Sequence, residues 1–133
     1  MVKLGIFMMV ALLVMPVMAL EEDQVLFDEI VGVWWSRVSN GDIAVEATED
    51  CRADGTIITN GDVYSDGLLV EQYQIKSTWK IEGGYSLVEV IETSNPKVVA
   101  VGTKITDRVI SVDEKEFISE AADGRKQTLT RIK

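Results

Sequence analysis

Leu68–Glu82, LLVEQYQIKSTWKIE, alternates between two kinds of side chain along its length. One set of alternate residues is largely apolar and comprises Leu69, Glu71, Tyr73, Ile75, Ser77, Trp79 and Ile81. The other set is more polar and comprises Leu68, Val70, Gln72, Gln74, Lys76, Thr78 and Lys80. Because successive side chains of a β-strand point to opposite faces, this period of two predicts a strand with one face inside the protein.

Turn signals divide the chain on either side of this segment into stretches of similar length. Pairs such as Asn40-Gly41 and Asp66-Gly67 tolerate the positive φ angles of tight turns. The strands predicted between the turns are Val31–Val38, Ile43–Arg52, Thr56–Tyr64, Leu68–Glu82, Tyr85–Thr93, Lys97–Val112, Glu116–Ala122 and Lys126–Ile132. An alternative reading makes residues 60–67 one long loop, which would shorten the third strand.

Short connections predict that strands adjacent in sequence pair as antiparallel hairpins. Eight such strands leave two sheet edges to protect, and closing the sheet into an up-and-down barrel removes both edges. The sequence therefore predicts an all-β, eight-stranded antiparallel barrel, with an open sandwich as the alternative. A short helix is expected before the first strand, over Asp23–Ile30, where four apolar residues could form one side.

The first twenty residues have the layout of a secretory signal peptide. Lys3 provides the positive charge, Leu4–Met15 form the apolar stretch, and Ala19 stands where a signal peptidase cuts. A membrane anchor is the alternative, but an apolar run of about 17 residues is at the short end for a bilayer span. We therefore expect removal of residues 1–19 and one domain over residues 20–133, secreted or periplasmic, with no membrane span.

Charge and residue usage restrict the classes of function. Lys3 is the only charged residue of the leader, so the mature chain keeps 12 of the 13 basic residues and all 22 acidic ones. The resulting charge, about −10, disfavours nucleic acid and anionic membranes as partners because both repel it. Histidine is absent and Cys51 is the only cysteine, which excludes an internal disulfide, Cys/His zinc sites and His-assisted nucleophiles. We expect a monomer with no enzyme activity, no cofactor and no metal.

Several short motifs resemble those of small lipocalin-like proteins. Gly32-Val33-Trp34 resembles the Gly-x-Trp of lipocalins, and Leu129-Thr130-Arg131 ends the last strand where that family places an arginine over this tryptophan. Residues 51–56 are similar to an Asp-Gly-Thr hairpin of the same group, with a cysteine replacing the usual aromatic residue. Residues 78–84 resemble the mid-domain Trp strand and turn. The chain thus looks like a small lipocalin-like domain, of the calycin kind, from an exported protein.

The resemblance assigns Gly32, Trp34 and Arg131 to structural closure of the barrel. A guanidinium over an indole face is a cation–π contact worth about 0.5–2 kcal/mol. Such a contact would join the first strand to the last. We therefore expect a structural role for this pair and no catalytic role.

Two interpretations of function remain open. In the first, the barrel binds a small apolar or amphipathic ligand, with a cationic ligand as the sharper version because acids share the inward faces. The residues predicted to bind it are Glu49, Glu71, Tyr73, Ile75, Trp79 and Val101. The competing expectation is that Glu49, Glu71 and Glu89 lie at bulges or strand ends in water. In the second interpretation, the acidic surface and loops bind or inhibit a protein partner, and the barrel holds no small molecule.

Overall fold

Eight antiparallel strands follow one another around a closed barrel in the order of the chain. The structure, a computed structural model, describes residues 21–133, so the leader expected at residues 1–19 lies outside the described residues. One helix, α1, spans residues 21–30. The strands are β1 (Gly32–Asn40), β2 (Ile43–Cys51), β3 (Thr56–Ser65), β4 (Leu68–Glu82), β5 (Tyr85–Thr93), β6 (Lys104–Val112), β7 (Glu116–Glu120) and β8 (Lys126–Arg131).

The pairing of the first strand with the last confirms the predicted fold class. Trp34 of β1 lies opposite Arg131 of β8, and Trp35 lies opposite Thr130. This contact closes the sheet, and the alternative of an open sandwich is therefore wrong. Closure leaves neither β1 nor β8 as an exposed edge that could pair with another chain.

The alternative reading of residues 60–67 as a loop is wrong, and one predicted strand start needs a large correction; the other strand ends differ by at most two residues. β3 continues to Ser65 and pairs with both neighbours, so residues 60–67 are not a loop. The sixth strand begins at Lys104 rather than Lys97. Residues 97–103 form turns instead, in which the Val99 amide donates to the Asn95 carbonyl at 3.2 Å and Gly102 takes a φ of 91°. These local hydrogen bonds replace the ladder that an extended strand would have made.

The two ends of the barrel are built differently. At one end, called the helix end, α1 lies with the turns at residues 52–55, 83–84 and 113–115. The Asp23 carboxylate fixes the helix there by accepting hydrogen bonds from the amides of Gly83, at 2.8 Å, and Gly84, at 3.0 Å. At the other end, called the open end, lie the connections at residues 41–42, 66–67, 94–103 and 121–125.

The hydrophobic core occupies the helix end. Its buried members are Ile30, Trp34, Cys51, Ile57, Trp79, Phe117 and Leu129. Phe27 of α1 stacks on Trp79 with ring centroids 4.0 Å apart, and Trp34 meets Phe117 edge to face at 5.7 Å. Offset and edge-to-face aromatic pairs add to the stabilisation from buried area. The helix therefore plugs this end of the barrel.

Gly32, Trp34 and Arg131 meet within this plug. The Arg131 guanidinium carbon lies 4.2 Å from the centre of the Trp34 ring. Its two terminal nitrogens donate to the carbonyls of Val31, at 3.1 Å, and Glu29, at 2.6 Å. Gly32 has a φ of 147°, and a Cβ there would stand 2.5 Å from Arg131 Nη1. Only glycine leaves room for the arginine at this position, so the three residues together join α1, β1 and β8.

Candidate functional site

A cavity of about 260 Å³ lies inside the barrel between the core and the open end. Its volume is slightly below the lower limit of about 300 Å³ that is usual for drug-sized ligands. The lining residues are Ser36, Val38, Val45, Ala47, Glu49, Ile57, Thr59, Tyr73, Ile75, Ser77, Ser86, Val88, Val90, Val99, Ile105, Asp107, Phe117, Ser119, Gln127 and Leu129. Every strand contributes to the lining, so the whole fold is needed to form it.

Small inward side chains account for the space. Most strands place a small residue toward the axis at the level of the cavity: Ser36, Ala47, Thr59, Ser77, Ser86 and Ser119. At the helix end the same inward rows continue with large residues such as Trp34 and Trp79. Barrels of eight strands are just wide enough for side chains to fill. A belt of small residues therefore leaves a void where larger ones would close it.

Glu49 and Asp107 bring two carboxylates to this cavity. Glu49 lies opposite the core residue Trp34 on the neighbouring strand and lines the cavity. Burial, followed by the charge of Asp107, raises the pKa of the Glu49 carboxyl. Burial and then the charge of Asp123 raise the pKa of Asp107. Within residues 21–133, no donor forms a hydrogen bond or an ion pair with either carboxylate.

Tyr73 provides the aromatic wall of the cavity, and Gly61 makes its position attainable. Gly61 lies directly opposite Tyr73 in the β3–β4 ladder, and a Cβ at Gly61 would overlap the phenol ring. The ring therefore occupies the space that a side chain at position 61 would need. Burial raises the pKa of the Tyr73 hydroxyl, and the charge of Glu49 adds to this effect. The phenol is a neutral donor and acceptor at one side of the cavity.

The remaining predicted binding residues are distributed between lining, core and rim. Ile75 lines the cavity and is buried. Trp79 belongs to the core below the cavity, where its indole nitrogen donates to the Arg52 carbonyl at 3.1 Å. Glu71 is exposed at the open end and accepts a hydrogen bond from the Asn95 side chain at 3.1 Å. The strand has only just left its turn at Glu71, which places this acid at the rim.

Val101 and Glu89 do not face the cavity. Val101 is 61% exposed because residues 97–103 turn instead of continuing the strand, and Val99 lines the cavity in its place. Glu89 lies on the outer wall, where Lys104 reaches it at 3.6 Å. Val88 and Val90 take the inward positions of β5, so the row containing Glu89 points outward.

Neither models of known protein families nor curated proteins match this chain. The descriptions of the fold and the cavity therefore depend on the sequence and the structure alone. Among residues 21–133, no helix is long and apolar enough to cross a membrane.

Sequence reasoning missed Asp107 and the belt of serines. The inward row predicted for the sixth strand comprises Val99, Val101, Thr103 and Ile105, and its next member is Asp107. Parity therefore indicates an inward face for Asp107, but not that it shares a cavity with Glu49. The serines carry no comparable signal, because a serine on an inward row is also common at strand ends and near turns. Their meaning depends on several strands presenting small residues at one level of the barrel.

Proposed function

We propose that this chain is an exported, lipocalin-like barrel that binds one small amphipathic molecule in its cavity. The observation that carries the proposal is a cavity enclosed by all eight strands, with apolar walls and a few inward polar groups. This mixture is typical of small-molecule sites, in which apolar contacts supply affinity and a few polar groups fix orientation. The contact of Arg131 with Trp34, beside Gly32, supports the lipocalin-like interpretation.

Binding without catalysis fits the polar groups of the cavity. The lining offers two carboxylates, one phenol, several hydroxyls and one amide, and the chain has no histidine. General acid–base chemistry needs groups whose protonation states differ and are matched to a reacting bond. Burial raises the pKa of both Glu49 and Asp107. It therefore does not make one of them a proton donor and the other a proton acceptor. The proposed activity is therefore storage, transport or sequestration.

Export is part of the same proposal, and the apolar stretch of residues 4–20 supports it. The mass of the protein recovered from each cell fraction measures this directly. We expect a chain that starts at or near residue 20 in the periplasm or the medium. A full-length chain held in the inner membrane would contradict the proposal.

A cavity-filling variant tests the binding proposal. Ser36 lines the cavity from β1, whereas Ser39 lies on the outer face of the same strand and is exposed. Ligand-observed NMR with a panel of aromatic molecules of about six to twelve non-hydrogen atoms matches the cavity in size. We expect binding by the wild type and by Ser39→Leu, and loss of binding in Ser36→Leu. Melting temperatures show whether each variant is folded.

Two results would contradict the binding proposal. One is a wild-type protein that binds no member of the panel. The other is a folded Ser36→Leu variant that binds as the wild type does, because the ligand would then occupy an outer surface. Native mass spectrometry of the protein purified from its source compartment complements the panel, since a bound molecule adds its own mass.

Apolar side chains around the open end favour a second candidate function, binding of a protein partner at the mouth. Leu68, Leu69 and Val70 are 71%, 50% and 54% exposed, and Val101 is exposed at the same end. Contiguous exposed apolar surface often marks an interaction site. Pull-down from the native compartment at low and high salt tests this candidate, with Leu68→Ser as the surface variant. A partner that is captured equally well by Leu68→Ser does not use this surface.

A further inference from the structure

The charged side chains that line the cavity are both carboxylates. Glu49 enters from β2 and Asp107 from β6, and residues 21–133 contribute no lysine or arginine to the lining. The other strands present no charged side chain to the cavity: their polar lining residues are Ser36, Thr59, Tyr73, Ser77, Ser86, Ser119 and Gln127. The buried Glu49 and the partly buried Asp107 have no counter-charge in the lining, and burial disfavours the ionised form of each.

Three buried serines add hydroxyl groups to the cavity lining. Ser36, Ser77 and Ser119 are only 5%, 3% and 5% exposed and line the same cavity. Within residues 21–133, the buried side-chain polar atom that lacks a partner is Arg131 Nε, and the serine oxygens are not in that state. A ligand that carries several hydrogen-bond donors would contact these oxygens as well as the carboxylates.

We propose that the cavity binds a small organic cation, a primary amine with an apolar or aromatic body, whose ammonium group contacts Glu49 and Asp107. An ammonium offers three donors, which suits two carboxylates and neighbouring hydroxyls. The apolar body would lie against Tyr73, Ile75 and the valines of the lining. This inference rests on the binding function proposed above and assigns its chemical class.

The size of the cavity narrows the ligand further. About 260 Å³ corresponds to the volume of roughly nine water molecules in the liquid. A close-packed organic molecule of about ten non-hydrogen atoms fits this space. Fatty acids and most pigments are too long to be held within this volume and would extend through the open end, and the two acids disfavour anions. A short aralkyl or alkyl amine satisfies both limits.

Further acidic side chains lie near the cavity. Asp123, in the β7–β8 connection, acts on Asp107, and Asp62 of β3 acts on Tyr73. Two arginines near the open end pair with acids: Arg108 with Glu120, and Arg125 with Asp123. The open end therefore attracts a cation before it enters, in the manner of charge-lined clefts that concentrate ligands of opposite sign.

A pair of probes that differ in charge alone tests this inference. 2-Phenylethylamine and 2-phenylethanol have the same number of non-hydrogen atoms, but only the amine is cationic at neutral pH. We expect calorimetric titration of the full mature chain to give at least about tenfold tighter binding of the amine, because charge-assisted hydrogen bonds are the stronger class. Phenylacetate, an anion of similar size, should bind more weakly than the alcohol.

Variants locate the effect in the cavity. Glu49→Gln should lower the affinity for the amine at least about tenfold and leave that for the alcohol unchanged. Asp107→Asn should act in the same direction. Glu46→Gln is the matched control, since Glu46 lies on the outer face of β2, pairs with Arg37, and should leave both affinities unchanged.

The outcomes separate this inference from the binding proposal. Equal binding of amine and alcohol would overturn the cationic assignment and leave the cavity as a site for neutral molecules. Tighter binding of the amine that persists in Glu49→Gln and Asp107→Asn would also overturn it, because the cation would then sit elsewhere. If neither probe binds and the wider panel also fails, both proposals are wrong.

Discussion

The helix end and the open end of the barrel use the same eight strands for opposite purposes. At the helix end, large side chains and α1 fill the interior, and Trp34 is completely buried. Toward the open end, serines, Ala47 and Thr59 occupy the same inward rows and leave a cavity of about 260 Å³. The volume of the inward side chains therefore decides whether a given height along the barrel axis is packed as core or left open as a cavity.

The charged groups inside the barrel also differ between the two ends. Arg131 brings a charge to the helix end, but backbone carbonyls and the face of Trp34 contact its guanidinium. Glu49 and Asp107 bring charges to the open half and have no such partners among residues 21–133. The difference indicates that the chain's own groups hold Arg131, although its Nε has no partner within residues 21–133, whereas the two carboxylates of the open half gain from a ligand. Stability and binding can thus be altered separately.

The largest expected effect is at the centre of the plug. Trp34→Ala should lower the free energy of unfolding by about 3–5 kcal/mol, as large-to-small changes of buried aromatic residues do. Tyr73→Ala, at the cavity wall, is the matched change in the open half and should cost only about 1–2 kcal/mol, because that ring already borders a void. Chemical denaturation of both variants gives the two values. Equal losses would remove the distinction between the two ends.

Glycine geometry gives the next largest effect. At Gly32, a Cβ would meet both the Arg131 guanidinium and the Lys133 carbonyl, at 2.5 and 2.8 Å. Gly32→Ala should therefore cost about 2–3 kcal/mol, the upper part of the range for strained backbone. Gly41, in the β1–β2 turn at the open end, has a φ of 60° and no atom within 4 Å of its Cβ position. Gly41→Ala should cost about 1 kcal/mol, since only the left-handed conformation is penalised. A smaller loss at Gly32 than at Gly41, measured by denaturation, would contradict the packing described for the plug.

The sequence predicted the frame of the barrel better than its interior. The turns and the alternation in Leu68–Glu82 were sufficient for the strand order, because both are local signals. Alternation did not decide which row of β5 faces inward, and the structure places Val88 and Val90 in the cavity lining and Glu89 outside. Beyond Val90, the register changes between Lys76 and Ser77 and leaves Ile91 37% exposed. Such a bulge shifts one strand by a residue and has no signature in the sequence of that strand.

The cavity itself was beyond sequence reasoning for a different reason. Its volume depends on small residues from several strands meeting at one level, and that level is set by strand tilt and stagger. Glu49 could be placed on an inward face from parity alone. That Asp107, on β6, faces the same space required the closed structure.

The contact between Arg131 and Trp34 should give an intermediate effect. Arg131→Ala removes a cation–π contact and should cost about 1–2 kcal/mol. In a double-mutant cycle with Trp34→Ala, the two losses should be non-additive because residues in contact share their interaction energy. Arg125→Ala is the control, since Arg125 is exposed at the open end and should add independently to Trp34→Ala. Strictly additive losses for Arg131 would mean that the contact contributes nothing to closure.

The smallest effect is a gain in stability, and it comes from the open half. Burial raises the pKa of Glu49, so the native state binds more protons than the unfolded state between the ordinary glutamate pKa, about 4.3, and the higher native value. The free energy of unfolding must therefore fall as pH rises through that interval. Glu49→Gln removes this penalty and should stabilise the protein at neutral pH by about 0.5–1 kcal/mol, within the range of substitutions that relieve an unfavourable group. Below the ordinary pKa both proteins carry a neutral side chain, and the gain should vanish.

Urea denaturation at acidic and neutral pH measures both limits, with Glu46→Gln as the exposed control that should show no gain. A variant that is less stable than the wild type at neutral pH would mean that Glu49 has a partner within the chain, and the carboxylate would then need no cation.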